Sequence, residues 1–446
     1  MSFFLKLFPV FIACLLCSAL PGFSAETGSG DAMPKASDLV PAETSGLKAG
    51  NYSSFAPEEV NTKQKAASPA PAIERREQFA IHPLSIAVSP DDKKANLAIE
   101  KSFHLFTTLM KPRFSMWLER SGRYIEAMQE ILKEKNMPPE LVFLPIVESG
   151  FNPKAYSRAR AAGPWQFISG TAKRYGLVID WWRDERKDPL KSTVAAARYL
   201  NDLYEMFGSW SLALAAYNAG EGKIAKALRK SSSDDFWPLL GTKYIRKETK
   251  DYVPHYIAAT MIANTPEEYG FADLAYHEPF EYEEVILYVP VDLDVIAECA
   301  GTDIDEIRDL NPELRRWSTP PNVSEYTLRI PAVKADAFIE KLSKVPDESL
   351  FSYDVYTIKK NDNLKKIAAK VKVPVSAILE LNSFSGTEKL PYGHQIKLPP
   401  QGKYFADIDD RMSARKARYK KSKAKSKKPA KTANRKASSK SKTAKS

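Results

Sequence analysis

At 446 residues and 43% hydrophobic content, the chain is long enough for a sizeable core and several folded domains. Its net charge of +11 belongs to one end: residues 411–446 hold 16 Lys or Arg and no Asp or Glu, which leaves −5 for residues 1–410. Three cysteines, of which an exported chain would keep only Cys299, exclude an internal disulfide framework.

The N-terminus reads as a signal peptide over residues 1–25. Lys6 precedes an apolar stretch, Leu7 to Leu20, which Pro21 breaks before small residues suited to cleavage. Export to the periplasm or cell envelope follows. Phe11-Ile12-Ala13-Cys14 loosely resembles a lipoprotein box, so an outer-membrane lipoprotein anchored through Cys14 is the alternative. No later segment approaches the length of a spanning helix. Residues 26–95, rich in Ala, Ser, Pro and charge, read as a leader or linker.

A helical pattern fills the next segment, 96–278. Phe103, Phe106 and Leu109 are expected on one face, and Trp117, Tyr124, Met128, Ile131 and Leu132 on another. Pro138-Pro139-Glu140 supplies a helix start. Residues 194–207, 211–220 and 252–264 predict further helices, the second ended by Gly220 and the third irregular near Pro254. No convincing strand run appears.

Beyond this, two segments match at an offset of 71. Ile296-Ala297 answers Ile367-Ala368, Ile307 answers Ile378, and Leu310-Asn311 answers Leu381-Asn382. Each copy begins with an apolar strand-like segment and ends in Leu328-Arg329-Ile330-Pro331 or Ile396-Lys397-Leu398-Pro399. Two small strand–helix–helix–strand modules are predicted, over 282–332 and 352–400, with residues 332–351 between them. Residues 401–446 read as a disordered Lys-rich tail, since Lys, Ala and Ser bury too little apolar surface to offset ordering.

For chemistry, the five His are scattered without metal-ligand spacing, and no Gly-rich phosphate loop or Gly-x-Ser-x-Gly element occurs. No metal and no cofactor are expected. Glu148 ends an apolar run, and from Ser149 to Ile179 there is no Asp or Glu, while Asn152, Tyr156, Ser157, Trp165, Gln166 and Tyr175 are present. A lone carboxylate among aromatics and amides suits a polysaccharide: rings cover sugar faces, and amides and hydroxyls bond sugar polar groups. Apolar neighbours would raise the Glu148 pKa, as a general acid for a glycosidic oxygen requires. The other reading is a helix-end Glu that simply faces solvent. Asp180, Asp184 and Asp188 remain as second carboxylates that the fold would have to bring near.

The stretch 148–177, with 213–224 and 243–259 after it, resembles the signature blocks of the soluble-lytic-transglycosylase family, in that family's order. With the paired modules, the whole resembles the membrane-bound lytic murein transglycosylase D group. The modules are similar to LysM, a fold that binds N-acetylglucosamine-containing chains. The second carries Asn361-Asp362-Asn363-Leu364 at the usual Gly-Asp-Thr/Ser-Leu position, and the first departs further.

The resemblance implies a multidomain protein: a mainly α-helical lysozyme-like catalytic domain, two small βααβ LysM-like modules and a disordered basic tail. It implies peptidoglycan lytic transglycosylase activity, with Glu148 as acid and then base. Ser157, Gln166, Tyr217 and Asn218 would shape sugar subsites, and Glu248 and Tyr252 would complete the cleft. Tyr217 and Tyr252 as core aromatics, Trp165 as packing, and Gly163 and Gly220 as turn or cap residues are the structural alternatives. A hydrolytic muramidase and a non-catalytic cell-wall binding protein are the functional ones. Expected partners are peptidoglycan glycan strands, with anionic envelope polymers or plain solvent for the tail; specific nucleic-acid binding is not expected.

Overall fold

The computed structural model describes residues 86, 88, 91–332, 334–386, 390–401 and 403. The signal peptide, Cys14 and most of the leader and of the Lys-rich tail lie outside the described residues. No helix among the described residues is long and apolar enough to cross a membrane.

Helix α1 (Lys93–His104) starts where the Asp92 carboxylate accepts from the Lys94 and Ala95 N–H groups, 3.0 Å each. A π turn follows at Leu105–Leu109, closed by Met110 N–H to Leu105 O at 2.8 Å. Its extra residue corrects the expected face: Phe106 is 3% exposed, whereas Leu109 is rotated outward to 69%. Helices α2 (Lys111–Ser121) and α3 (Ile125–Glu134) are separate elements, so Trp117 and Tyr124 do not share one helix.

Pro138-Pro139-Glu140 opens a 3-10 turn, Pro139–Phe143, that runs into the short α4 (Leu144–Ser149). Leu141, Val142, Phe143, Leu144 and Ile146 are all buried, as a segment apolar all round must be. Against it packs α9 (Lys247–Asn264); α9 meets α7 (Trp210–Ala219), and α7 meets α6 (Pro189–Phe207) and α8 (Glu221–Ser231), while α5 (Ser169–Arg174) buries Ala172 in the same core. Helix α9 runs on through Pro254 and begins earlier than its apolar pattern suggests. The Tyr256 hydroxyl ties it to Glu140 O at 2.9 Å. The helical domain contains only isolated β-bridges, among them Tyr156 with Ala162 and Ala162 with Phe167.

The repeat folds as two βααβ modules. The first comprises β1 (Tyr282–Leu287), α10 (Leu293–Ala300), α11 (Ile304–Leu310) and β2 (Tyr326–Pro331). Helices α12 (Ala335–Leu342) and α13 (Asp347–Leu350) follow. The second comprises β3 (Asp354–Thr357), α14 (Leu364–Val371), α15 (Val375–Leu381) and β4 (Gln395–Leu398). Both strand pairs are antiparallel.

The matched residues do matched work. Asn311 bonds Ile307 O at 2.8 Å and Arg329 O at 2.7 Å and accepts from Arg329 N at 2.9 Å. Asn382 bonds Ile378 O and Lys397 O at 2.8 Å each and accepts from Lys397 N at 2.7 Å. Each Asn thus fastens the second helix to the last strand. Residues 332–351 are more than a spacer: α12 buries Ala335 and Phe338, and α13 buries Leu350, in the first module's core.

Candidate active site

Glu148 stands on the last turn of α4, where the chain leaves the core. Gly150 ends the helix at φ +60; a Cβ there would lie 2.1 Å from the Trp117 ring, so only glycine fits. Arg120 Nη1 holds the Gly150 carbonyl at 2.6 Å. The Ser149 hydroxyl donates to Pro164 O at 2.9 Å and accepts from Asn152 N at 3.1 Å, which binds α4 to the following loop.

The Glu148 side chain keeps part of its surface open, yet protein atoms crowd it. Burial pushes its pKa up to about 7; the Tyr252 hydroxyl bond works against this, and the Glu248 charge adds to it. The Tyr252 hydroxyl donates to Glu148 Oε1 across 104 residues of sequence. Tyr252 and Tyr217 are both raised well above the ordinary tyrosine range, first by burial and then by the Glu148 charge. Both phenols therefore stay protonated donors beside the carboxyl.

The predicted residues fall into two groups. Glu148, Tyr217, Glu248 and Tyr252 interact electrostatically at one place. Asn218 joins them through α9, its Oδ1 accepting from the Thr249 hydroxyl at 2.9 Å. Ser157 and Gln166 belong to the neighbouring 155–167 loop. Ser157 Oγ accepts from Ala161 N at 3.0 Å, and Gln166 Nε2 donates to Gly163 O at 2.8 Å. The Tyr217 hydroxyl bridges the groups by donating to Trp165 O at 2.8 Å. The Trp165 ring is fully buried, with its indole N–H on Thr193 Oγ1 at 2.9 Å, so it packs and offers no face to a sugar.

Each of the three aspartates is committed to other partners. Asp180 accepts from the Trp182 and Arg183 N–H groups at 2.8 Å each. Asp184 is fully buried and holds Arg186 at 2.7 Å. Asp188 caps α6 and pairs with Arg329 of β2 at 2.9 Å. Burial works to raise the Asp188 carboxyl, but Arg329 and Lys191 outweigh it and hold it below the usual range. The carboxylate that acts on Glu148 is exposed Glu248. Among the described residues, no three His, Cys, Asp or Glu gather as a metal would need.

The 155–167 loop is held from beneath. Arg186 Nη1 donates to Arg160 O at 2.8 Å and Phe167 O at 3.0 Å, and Gly163, at φ +80, rests directly on the Arg186 carbonyl. The segment carrying Arg186 is in turn fastened to the first module. Asp184 N donates to Glu313 O and Arg315 N to Trp182 O, both at 2.9 Å. Ser149, Thr249 and Arg120 carry no sequence signal of a part in the site. Thr249 and Arg120 each act through one side-chain bond to a distant partner, and Ser149, which adjoins Glu148, through its bonds to Pro164 and Asn152.

Known protein families match the helical domain and both βααβ repeats. The Transglycosylase SLT domain family matches residues 126–240, the family "Lytic transglycosylase MltD, LysM-like domain" residues 281–347, and the LysM domain residues 356–399. In this content and order the chain is similar to the membrane-bound lytic murein transglycosylase D group. It is 34% identical over 287 residues to the Escherichia coli K12 protein "Membrane-bound lytic murein transglycosylase D", covering 61% of this chain and 62% of that one. The chain thus spans less than two thirds of that relative's length. It is also 34% identical over 128 residues to "Peptidoglycan transglycosylase gp16" of Escherichia phage T7, 28% of this chain and 9% of that one. The 70 kDa soluble lytic transglycosylase of Escherichia coli aligns with a TM-score of 0.30 at 22% identity, covering 42% of this chain and 32% of that one.

Proposed function

We propose that the chain is an envelope-associated lytic transglycosylase that cleaves peptidoglycan between N-acetylmuramic acid and N-acetylglucosamine, with Glu148 as its single acid and base. The observation that carries this reading is the Glu148 environment: one carboxyl, raised to about 7 by burial and hydrogen-bonded by a protonated tyrosine. Asp180, Asp184 and Asp188 are engaged elsewhere, and Glu248, the carboxylate that acts on Glu148, is exposed; this supports a scheme with one acid and base, where most glycosidases use two carboxylates.

In the first step, protonated Glu148 gives its proton to the glycosidic oxygen, and the bond from muramic C1 to that oxygen breaks. The substrate's own 2-acetamido group stabilises the positive charge at C1. The carboxylate left behind keeps the Tyr252 hydroxyl bond, which favours its ionised form. Glu148 then takes the proton of the muramic C6 hydroxyl, and O6 bonds to C1. The product is a 1,6-anhydro end, and no water is consumed. An attacker already joined to the sugar gains high effective molarity.

Ser157, Gln166 and Asn218 are read as sugar-contacting groups, and the LysM modules as holders of N-acetylglucosamine-containing chains. Mass spectrometry of digested sacculi tests the reaction. Anhydro fragments, one water lighter than reducing ones, are expected; reducing ends would make the chain a hydrolytic muramidase.

A further inference from the structure

The further inference rests on that reading and concerns what holds the cleft in shape. Ser157 and Gln166 belong to the 155–167 loop, and so does the Trp165 carbonyl that anchors the Tyr217 hydroxyl. One guanidinium binds this loop from beneath. Arg186, 1% exposed, holds the Arg160 and Phe167 carbonyls through Nη1, while its Nε and Nη2 donate to Asp184 at 2.8 and 2.7 Å. A guanidinium is a rigid planar fork, so the position of Asp184 fixes the position of both carbonyls.

The segment that carries Asp184 is laddered onto the first module. Arg183 and Leu314 form an antiparallel bridge, flanked by the bonds from Asp184 N to Glu313 O and from Arg315 N to Trp182 O. The Arg315 side chain adds a bond from Nη1 to Asp180 O at 2.6 Å. Beside the ladder Trp317 packs on Trp182, with ring centres 5.1 Å apart, and the Arg316 guanidinium covers the Trp181 ring at 4.2 Å. Glu313, Leu314, Arg316 and Trp317 are all buried here. Burying charged groups is costly, and a module that only tethered glycan would gain nothing from it. At the 71-residue offset the second module has Ser385 and Gly386, both exposed, in place of Leu314 and Arg315. The ladder is thus particular to the first module. Chains of packed side chains and hydrogen bonds of this kind carry coupling between distant points.

We propose that the first module is a working part of the active site, in which its Glu313–Trp317 segment positions the 155–167 loop through Asp184 and Arg186. Arg186 and Arg315 are positioning residues that act through the loop. Cleavage then depends on a module that lies outside the helical domain.

The test compares the full chain with its Arg315→Ala and Arg315→Lys variants on soluble glycan strands. Alanine removes the bond to Asp180 O, and lysine can restore one. In the alanine variant kcat should fall about tenfold while KM stays within about twofold, since small displacements of positioned groups slow the chemistry. The lysine variant should recover most of the loss. A raised KM with unchanged kcat would make the module a glycan holder only and overturns the proposal. Water admitted by a loosened loop reaches Glu148, which Tyr217, Tyr252 and Glu248 face. The alkaline limb of kcat/KM should therefore move down by about half a pH unit. Loss of activity with the limb unmoved would mean partial unfolding and also overturns the proposal. Hydrogen exchange is followed in parallel at the Ala162, Gly163 and Gln166 amides, which bond within the loop. They should exchange about tenfold faster in Arg315→Ala, with the amides of α6 unchanged. Unchanged exchange in the loop, or equal acceleration in α6, overturns the proposal. If the unsubstituted chain cleaves no strand, the reading as an enzyme fails, and the exchange alone decides whether the module holds the loop.

Discussion

Glu148→Gln should stabilise the protein, and more so in alkaline than in acidic solution. In the folded chain the carboxyl keeps its proton up to about 7, against an ordinary 4.5. Between those values the folded state binds more protons than the unfolded one, so raising the pH favours unfolding. The penalty begins near the unfolded pKa and is complete once the pH has passed the folded one. Its full size, from the separation of the two values, is about 3 kcal/mol, of which about 2.5 kcal/mol accrues from roughly pH 5 to pH 8. Solvent reaching the part-open side chain lowers this to about 1–2 kcal/mol. Glutamine fills the same space without a charge and escapes the penalty. Urea denaturation of both proteins at the two pH values, at equal ionic strength, measures the effect. The stability gap should widen in favour of the Gln variant as pH rises. A gap that is constant with pH would refute the claim that burial governs Glu148.

Tyr252→Phe removes the bond that favours ionised Glu148, so its pKa should rise. The alkaline limb of the kcat/KM profile should move up by about one pH unit while kcat falls at least about tenfold; an unmoved limb would contradict the contact. Gly163→Ala would place a Cβ 1.7 Å from the Arg186 carbonyl, backbone against backbone. With no rotamer to relieve it, this should cost upwards of about 3 kcal/mol in chemical denaturation, and an unchanged midpoint would show that the loop is not clamped there. Arg329→Met strands the buried Asp188 charge and should cost about 3–5 kcal/mol. Asp188→Asn/Arg329→Met, which keeps the cap on α6 and removes both charges, should recover part of that loss in a double-mutant cycle.

What the sequence disclosed and what it concealed divide along physical lines. The 71-residue offset exposed the two modules because identical local packing demands identical residues: Ile296 and Ile367, Ile307 and Ile378 are all buried. The helices at 194–207 and 211–220 were legible for a similar reason, since their periodicity is what their burial requires. The π turn at Leu105–Leu109 was not, because one inserted residue shifts a face without changing composition. Helix α12 shows only a short apolar pattern between two stronger signals. At the site, the apolar run before Glu148 announced a perturbed carboxyl. Its partner Tyr252 lies 104 residues away, and the Asp188–Arg329 pair joins residues 141 apart. Such pairings are set by tertiary packing, and no local pattern encodes them. The motif resemblance supplied Tyr252; nothing supplied Arg329.

The most direct measurement applies Glu148→Gln to purified sacculi and records, in one experiment, sedimentation with the sacculi and release of soluble fragments. The variant should cosediment as the unsubstituted chain does and release essentially no anhydro fragments. Fragment release at the unsubstituted rate would remove Glu148 from the chemistry and the proposed mechanism with it.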